Sequence, residues 1–201
     1  MEHDKATISV IMSVYNTKLQ YLNIAVQSIL QQTYPYFEFI IIDDGCDEEC
    51  ARFLQSIGDK RVILIRNPEN YGLTKSLNIG LQRARGKYIA RMDSDDIADS
   101  LRLEKQLKYL VENGLDLIGS GVTCIGEDEK VITTLNKFPK ENEKFKKKIL
   151  YNNCMPHPTW FGKTEVFKSL DGYRDVNYAE DYDFILKTCE KATAICHIPK
   201  I

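Results

Sequence analysis

Three carboxylates, interrupted by a single serine, follow a short apolar run near the middle of the chain. The run Tyr88–Met92 has the character of a β-strand, and Asp93-Ser94-Asp95-Asp96 comes directly after it. Like charges packed this closely repel each other and are costly to desolvate, so they call for a cation or a strong solvation shell. An Asp-x-Asp triplet at a strand end suits a divalent metal clamped onto a diphosphate, and Arg91 is expected to pair with one of the carboxylates. The alternative is an acidic helix N-cap in a solvated turn.

The first half of the chain contains the elements that such a site needs. Four apolar runs predict strands, at residues 8–14, 37–42, 62–65 and 87–92. Strands this apolar, separated by helices, indicate a parallel sheet covered on both faces. Thr17-x-x-Gln20 resembles a capping box for the first helix, and Asp47 can cap the second. We therefore predict an α/β protein with a Rossmann-like, mostly parallel central sheet flanked by helices.

Polar residues gather where the predicted strands end. They are Tyr15 and Asn16, Asp43 and Asp44, Asn70 and Tyr71, and Asp93–Asp96. Open parallel sheets bind ligands beyond the carboxyl ends of their strands, so these residues are predicted to line one crevice. Neither the glycine-rich dinucleotide signature nor a P-loop follows the first strand, where the sequence is Ser13-Val14-Tyr15-Asn16-Thr17. A diphosphate held there needs a metal or arginines instead.

The second half of the chain is less regular. We predict an amphipathic helix over Ser100–Asn113, an extended run over Leu115–Ile125, and a turn at Glu127–Lys130 that leads into a strand at Val131–Thr134. The basic run Lys137–Lys148 is either a solvated helix face or a surface for acidic phospholipid headgroups.

Two short segments of this half hold further candidates. In the proline-flanked segment Met155–Trp160, His157 is either hydrogen-bonded scaffolding or part of an acceptor pocket. Trp160 is either a stacking platform for a sugar ring or ordinary core packing. Glu180-Asp181 opens a predicted helix, where acidic residues interact favourably with the helix dipole without needing any catalytic role.

Composition sets ordinary bounds. The chain has 201 residues and a formal charge of −2, which suits one sizeable domain and indicates neither disorder nor a nucleic-acid binder. No apolar stretch reaches the roughly 18–20 residues of a membrane span, and the N-terminus lacks the pattern of a secretory signal. The six cysteines are scattered, with no CxxC pair. We expect reduced, mostly buried thiols in a cytoplasmic protein.

Five ordered motifs carry a resemblance to a known family. They are Ile8–Asn16 (ISVIMSVYN), Phe37–Gly45 (FEFIIIDDG), Asn70–Gly80 (NYGLTKSLNIG), Ala84–Ile97 (ARGKYIARMDSDDI) and Glu180–Phe184 (EDYDF). Their order and spacing, over nearly the whole chain, resemble the family 2 glycosyltransferases. The resemblance implies the glycosyltransferase-A fold, a nucleotide-diphosphate sugar donor such as a UDP-hexose or UDP-N-acetylhexosamine, Mn²⁺ or Mg²⁺, inversion at the anomeric carbon, and a glycan or lipid-linked acceptor in cell-surface polysaccharide synthesis.

The resemblance also implies roles for individual residues. Tyr15 would pack on the base, usually uracil, and Asp44 would accept a hydrogen bond from its N3–H. Asp93 would lie by the ribose and, with Asp95, at the metal that bridges the diphosphate, while Asp181 would be the general base for the acceptor hydroxyl. The other positions assigned to the donor are Ser13, Asn16, Asn70, Lys75 and Ser94, and those assigned to the acceptor side are His157, Trp160 and Glu180.

Some features depart from the family pattern. Ser13 stands where many members have proline, and Cys46 follows Asp-Asp-Gly where serine is usual; neither change removes a reacting carboxylate. We expect a single catalytic domain, with residues 1–99 as its nucleotide-binding half and residues 100–201 as its acceptor-side half. Members commonly continue beyond the Glu-Asp helix, so we expect a C-terminal truncation. The expected location is the cytoplasm, with peripheral contact at the inner face of the plasma membrane as an option.

Two other classes of function stay open at this stage. A sugar-nucleotide nucleotidyltransferase would share the α/β crevice and the acidic metal site. It would be expected to carry a triphosphate loop rich in glycine and lysine or arginine after the first strand, and Ser13–Thr17 is not one. A non-catalytic sugar-nucleotide binding module is the other alternative, although Asp93, Asp95 and Asp181 are all present.

Overall fold

The computed structural model of the protein describes residues 6–128, 130–136, 138–139, 141–176, 178–191 and 194–198, the last three of them by their backbone. The strands are β1 (Ile8–Val14), β2 (Phe37–Asp43), β3 (Val62–Arg66), β4 (Tyr88–Met92), β5 (Leu117–Ser120), β6 (Val122–Ile125), β7 (Val131–Leu135), β8 (Phe161–Lys163) and β9 (Ile195–Ile198). The α-helices are α1 (Leu19–Leu30), α2 (Glu48–Ser56), α3 (Leu73–Arg83), α4 (Arg102–Glu112), α5 (Asn142–Ile149), α6 (Thr164–Ser169) and α7 (Glu180–Glu190). A 3₁₀ turn spans His157–Thr159.

A seven-stranded sheet in the order β3-β2-β1-β4-β8-β5-β9 forms the centre of the molecule. Strands β1 to β4 are parallel neighbours, so their carboxyl ends share one edge. Strand β8 runs antiparallel to both β4 and β5, and β9 is parallel to β5. The predicted α/β class with a mostly parallel sheet is therefore confirmed.

Helices cover both faces of the sheet because successive strand residues point to opposite sides. On one face, α1, α2 and α4 pack on Val10, Met12 and Phe39. On the other face, α3, α5, α6 and α7 pack on Ile11, Ile40 and related residues. Full burial of one such side chain contributes about 1.5–3 kcal/mol, so the two layers rigidly hold the strand ends from which the polar residues project.

The hydrogen bonds at the first residues of α1 and α2 test the two predicted helix caps. Asp47 caps α2, since its Oδ1 accepts from the Cys50 N–H at 2.9 Å. The capping box at Thr17 is wrong: α1 begins after Lys18, which makes no side-chain cap, and the Thr17 hydroxyl instead contacts Ser94. Strands β8 and β9 were not predicted, because a three-residue run and a run near the chain end carry too little periodicity.

The hairpin predicted around residue 127 is present. Strands β6 and β7 pair antiparallel, outside the central sheet. The ammonium of Lys18 contacts Glu127 Oε1 at 3.0 Å and so connects the hairpin to the start of α1. Of the basic run at residues 137–148, only Asn142–Ile149 forms a helix, and Lys137 and Lys140 lie outside the described residues.

Thiols and helix lengths agree with the expectations from composition. The cysteines whose side chains are described are all free, and Cys46, Cys50 and Cys154 are buried. Within the described part of the chain, every helix is too short or too polar to cross a bilayer.

Candidate active site

The acidic segment after β4 leaves the sheet at its shared carboxyl edge. Asp93 forms an ion pair with Nη1 of Arg91, as expected for that arginine. The Ser94 and Thr17 hydroxyls lie 2.6 Å apart, so the loop after β4 is tied to the loop after β1. Asp95 is exposed and makes no hydrogen bond or ion pair within the described residues. Its carboxylate therefore faces the crevice without a partner from the chain.

Negative charge is in excess at this edge. Partial burial of the Asp96 carboxyl, reinforced by the charges of Asp93 and Asp95, raises its pKa to about 6. Arg91 and Arg102 oppose that shift. Arg102 lies beneath the loop, where its Nη2 donates to the Arg91 carbonyl oxygen at 2.7 Å.

The residues present fit a metal that is shared with a diphosphate. Among the described side chains, no three His, Cys, Asp or Glu residues come close enough to form a metal site by themselves. Mg²⁺, however, is usually held by one or two carboxylates plus substrate phosphates, and Mn²⁺ takes the same oxygen ligands. The carboxylate of Asp95, which has no partner in the part of the chain that the structure describes, and that of the neighbouring Asp93 can supply these one or two carboxylate ligands.

The residues expected at the base and ribose lie along the neighbouring strand ends. Tyr15, directly after β1, is 46% exposed and presents its ring to solvent. Asn16 follows in the left-handed region at φ 51°, and Ser13 is half-buried in β1. Asn70 and Lys75 are exposed on the far side of the crevice, in the loop before α3 and in its first turn.

Asp44 anchors the loop between β3 and α3. The residue is only 1% exposed. Its Oδ1 accepts from Asn67 Nδ2 at 2.7 Å and from the Tyr71 N–H at 2.9 Å, and its Oδ2 accepts from the Gly72 N–H at 2.9 Å. A carboxylate offers about four acceptor positions, so roughly one remains for a ligand. Sequence reasoning did not find this clamp, because its donors are distant along the chain and two are backbone groups.

Asp43 holds the other side of the same turn. It is buried and accepts from the Cys46 N–H at 3.0 Å and from the Cys46 Sγ at 2.9 Å, and Arg66 Nε approaches it at 3.3 Å. Burial, then the hydrogen bond to Asp43, raises the pKa of the Cys46 thiol far above its usual value. The thiol thus acts as a protonated donor at the position where the family usually has serine.

His157 and Trp160 belong to a buried aromatic cluster. His157 Nε2 lies 2.9 Å from the Tyr173 hydroxyl, and burial lowers the pKa of this histidine well below 6.5, an effect that Arg91 reinforces. Trp160 is fully buried, and its indole N–H donates to the Met155 carbonyl oxygen at 3.1 Å. Trp160 therefore packs in the core and presents no face to a sugar. His157 is buried and hydrogen-bonded to Tyr173, which matches the alternative of a structural histidine.

Asp181 sits in the first turn of α7, half-buried beside Glu180. Its Oδ2 accepts from Asn153 Nδ2 at 2.7 Å, and its Oδ1 accepts from the Tyr182 N–H at 2.6 Å. Asn153 was missed by sequence reasoning because it lies in an irregular segment with no periodic pattern. The carboxylate is held in place while remaining accessible.

Tyr173 connects the two acidic groups electrostatically. Burial raises the pKa of its phenol, Arg91 lowers it, and Asp181, Glu180 and Asp93 raise it further. The Arg91 N–H donates to the Trp160 carbonyl oxygen at 2.9 Å, and the rings of Trp160 and Tyr173 both pack on Phe184 of α7, so one aromatic cluster joins β4 to α7. Arg91 is buried, and its Nε has no hydrogen-bond partner in the described part of the chain.

A cavity of about 1010 Å³ opens beside Asp95 and Asp96. Its walls come from α1, the β6–β7 hairpin and the segment 156–159, and include Tyr21, Ile24 and Pro158. This volume is at the upper end of ordinary ligand pockets, and the lining combines apolar side chains with carboxylates.

Comparison with known proteins agrees with this geometry. A model of "Glycosyl transferase family 2" matches residues 9–170. The chain is 40% identical over 183 residues to the O-antigen biosynthesis glycosyltransferase WbnJ of Escherichia coli, a match that covers 90% of this chain and 70% of that protein. The chain covers 66% of an uncharacterized glycosyltransferase of Methanocaldococcus jannaschii, to which it is 39% identical over 194 residues, and between 25% and 73% of other curated relatives.

Solved structures show the same fold. The crystal structure of S. aureus TarS 1–349 in complex with UDP-GlcNAc superposes with a TM-score of 0.80 at 21% identity, covering 97% of this chain and 56% of that one. The mannosyltransferase PcManGT from Pyrobaculum calidifontis, in complex with GDP-Man and Mn²⁺, superposes with a TM-score of 0.71 at 18% identity, covering 97% and 55%. The fold and the site define a glycosyltransferase of the glycosyltransferase-A type. The chain belongs to glycosyl transferase family 2.

Proposed function

We propose that this chain is the catalytic part of an inverting, metal-dependent glycosyltransferase. It moves a hexose or N-acetylhexosamine from a nucleotide-diphosphate sugar, in the first place a UDP-sugar, to a hydroxyl of a glycan or lipid-linked acceptor. The observation that carries the proposal is that β4, which leads into Asp93, and α7, which begins with Glu180-Asp181, are joined through Trp160. The names of its relatives support a role in cell-surface polysaccharide synthesis, including an Escherichia coli protein of O-antigen biosynthesis. A site of action on the cytoplasmic side of a membrane is part of the proposal.

On the donor side, the chain supplies a ring and a carboxylate for the nucleotide. The exposed ring of Tyr15 can stack on the base. The remaining acceptor position of Asp44 suits the N3–H of uracil, and the clamp of Asn67 and the 71–72 amides holds that carboxylate still. Asp93 and Asp95 then face the ribose and the diphosphate. The UDP-GlcNAc complex of TarS supports a donor of this class.

Transfer consists of one displacement at the anomeric carbon. The acceptor oxygen forms a bond to that carbon while the bond to the diphosphate oxygen breaks, so the centre inverts. Asp181 takes the hydroxyl proton because an alcohol is a poor nucleophile at neutral pH. Asn153 fixes the orientation of this carboxylate. Bound Mn²⁺ or Mg²⁺, held by Asp95 with Asp93, supplies the Lewis-acid chemistry that neutralises charge on the departing diphosphate.

Donor binding with and without Mn²⁺ tests the proposal directly. A thermal-shift series with UDP-hexoses, UDP-N-acetylhexosamines and GDP-mannose should show stabilisation by at least one UDP-sugar, since a ligand at 100 times its Kd adds about 2.7 kcal/mol. Asp95→Asn should lose the Mn²⁺-dependent part of the shift. Asp128→Asn, an exposed carboxylate in the hairpin, is the matched control.

Product analysis separates the remaining classes. Slow release of UDP from the stabilising UDP-sugar supports the transferase. Release of pyrophosphate from a nucleoside triphosphate and a sugar phosphate would instead indicate a nucleotidyltransferase. Tight donor binding with no turnover in the presence of membrane extracts containing acceptors would indicate a binding module.

A further inference from the structure

A strongly basic and apolar surface lies at the end of α5. The helix carries four lysines and one glutamate in eight residues. Phe145 and Ile149 are fully buried, and they fix which side of the helix faces the core. At 100° per residue, Lys147 lies roughly opposite Phe145, with Lys144 and Lys148 to one side. The exposed Glu143 also lies on the outward face and Lys144 pairs with Glu141, yet four lysines against one glutamate leave α5 positive, although the whole chain carries a formal charge of −2.

Two large apolar side chains continue this outward face. Leu150 has helical backbone angles, φ −65° and ψ −18°, and the Tyr151 N–H donates to the Lys148 carbonyl oxygen at 3.0 Å, so the last turn extends through both residues. Leu150 is 68% exposed and Tyr151 is 88% exposed. Among the described residues, neither Lys147 nor Lys148 forms an ion pair. We call Lys147, Lys148, Leu150 and Tyr151 the α5 patch.

The α5 patch is fixed next to the proposed general base. The Tyr182 hydroxyl of α7 donates to the Ile149 carbonyl oxygen at 2.7 Å. Asn153, two residues beyond Tyr151, donates to Asp181 at 2.7 Å. Two residues of chain span at most about 7 Å, so the exposed tyrosine and the carboxylate are close neighbours.

We propose that the α5 patch docks this protein on an anionic lipid bilayer and presents Asp181 to an acceptor carried at the membrane surface; this inference rests on the proposed function. The lysines match the negative potential of acidic headgroups. Leu150 enters the acyl boundary, while Tyr151 lies at the headgroup level, where tyrosine is enriched. A soluble polyanion would match the lysines but offers no apolar layer for Leu150.

Vesicle co-sedimentation tests the docking without any need for catalysis. The chain should bind vesicles made from a two-to-one mixture of phosphatidylcholine and phosphatidylglycerol, and it should not bind phosphatidylcholine alone. Removing two lysine charges with Lys147→Gln/Lys148→Gln should weaken the partition coefficient by about 25-fold, at roughly five-fold per lysine. Leu150→Asn/Tyr151→Asn should weaken it by about ten-fold or more.

The chain offers a matched control on the opposite face of the sheet. On α4, Lys105, Lys108 and Val111 are also exposed, and Lys105→Gln/Lys108→Gln/Val111→Asn should leave vesicle binding unchanged. Equal loss of vesicle binding in this variant would overturn the proposal, because it would indicate that lysines anywhere on the surface contribute equally. So would absence of binding, or full binding by Leu150→Asn/Tyr151→Asn, which would indicate a site for soluble polyanions.

Measuring UDP-sugar binding in the same variants distinguishes failure of the docking proposal from failure of the transferase proposal. The UDP-sugar thermal shift should be unchanged in every patch variant, which also shows that each variant is folded. Wild-type protein that binds UDP-sugar but no vesicles would refute docking alone. Wild-type protein that binds anionic vesicles but no nucleotide sugar would refute the transferase alone.

Discussion

The donor side and the acceptor side of the site differ in how many of their hydrogen bonds are already made. On the donor side, Asp44 accepts three hydrogen bonds from the chain and Asp43 accepts two from Cys46. At the metal position, Asp95 has no partner in the described residues, and on the acceptor side Tyr151 projects into solvent. The donor side is thus organised before any ligand arrives, whereas the metal and acceptor positions depend on what binds.

Asp181→Asn gives the largest expected effect because it removes the proposed general base. Asparagine can keep the hydrogen bond from the Tyr182 N–H but loses the one from Asn153 Nδ2, so the fold should be retained at a cost of about 1 kcal/mol and the UDP-sugar thermal shift should be unchanged. Transfer should fall by about 10²- to 10⁴-fold, the usual contribution of general base catalysis. Asp175→Asn, an exposed carboxylate before the same helix, is the control. A full transfer rate in Asp181→Asn would end the assignment of Asp181 as the base.

Asp44→Ala tests the organised side. It removes the acceptor of the Tyr71 N–H and one of the two acceptors of Asn67 Nδ2, which also donates to Ser76 Oγ, while the Gly72 N–H keeps Asn70 Oδ1. At about 1–3 kcal/mol for each unsatisfied buried group, with water reaching part of the loop, we expect a loss of about 3 kcal/mol in urea unfolding together with loss of the donor shift.

The graded control for that variant is Asp47→Ala, which removes a single helix-cap hydrogen bond and should cost about 1 kcal/mol. If the two variants were equally stable, the clamp would not hold the loop.

The buried His157 makes the free energy of unfolding depend on pH. Its pKa is lowered in the folded state, where it faces Tyr173 and Arg91. Below the unfolded pKa of about 6.5, the unfolded chain binds a proton that the folded chain does not, so stability falls as pH falls, by up to about 1.4 kcal/mol per pH unit. Asp96, whose pKa is raised to about 6, acts in the opposite direction.

The measurement is therefore a difference between variants. Urea unfolding of wild type and His157→Gln at pH 7.5 and pH 5.5 cancels the Asp96 contribution, which both proteins share. The variant should lose less stability than wild type on acidification. Identical losses would mean that His157 is not held neutral.

The smallest expected effect concerns the hydrogen bond between two loops of the donor side. The Thr17 and Ser94 hydroxyls join the loops after β1 and β4 at 2.6 Å. Thr17→Val and Ser94→Ala should each destabilise by about 1 kcal/mol, and a double-mutant cycle should give a coupling of about 0.5–1 kcal/mol. Zero coupling would mean that the loops are positioned independently.

Sequence reasoning worked where periodicity is strong and failed where contacts are distant. The apolar runs of β1 to β4 and the cap at Asp47 follow from local patterns, and so does the shared edge of the sheet after which Asp44 and Asp93 lie. The clamp of Asp44 and the Asn153–Asp181 contact join residues 23 to 28 positions apart, for which no local pattern exists. Strand β8 was not predicted because three residues are too few to show an alternating pattern. The role of Trp160 stayed open because a tryptophan suits both stacking on a sugar and packing in the core.

The environment of Cys46 affects how readily the proposed nucleotide pocket is oxidised or alkylated. The nucleophile in oxidation and alkylation is the thiolate, and its population shrinks as the pKa rises. Because Cys46 is buried and donates its proton to Asp43, almost none of it is ionised at neutral pH. Peroxide and maleimide reagents should therefore spare Cys46, so a cysteine in place of serine leaves this part of the proposed nucleotide pocket resistant to oxidation.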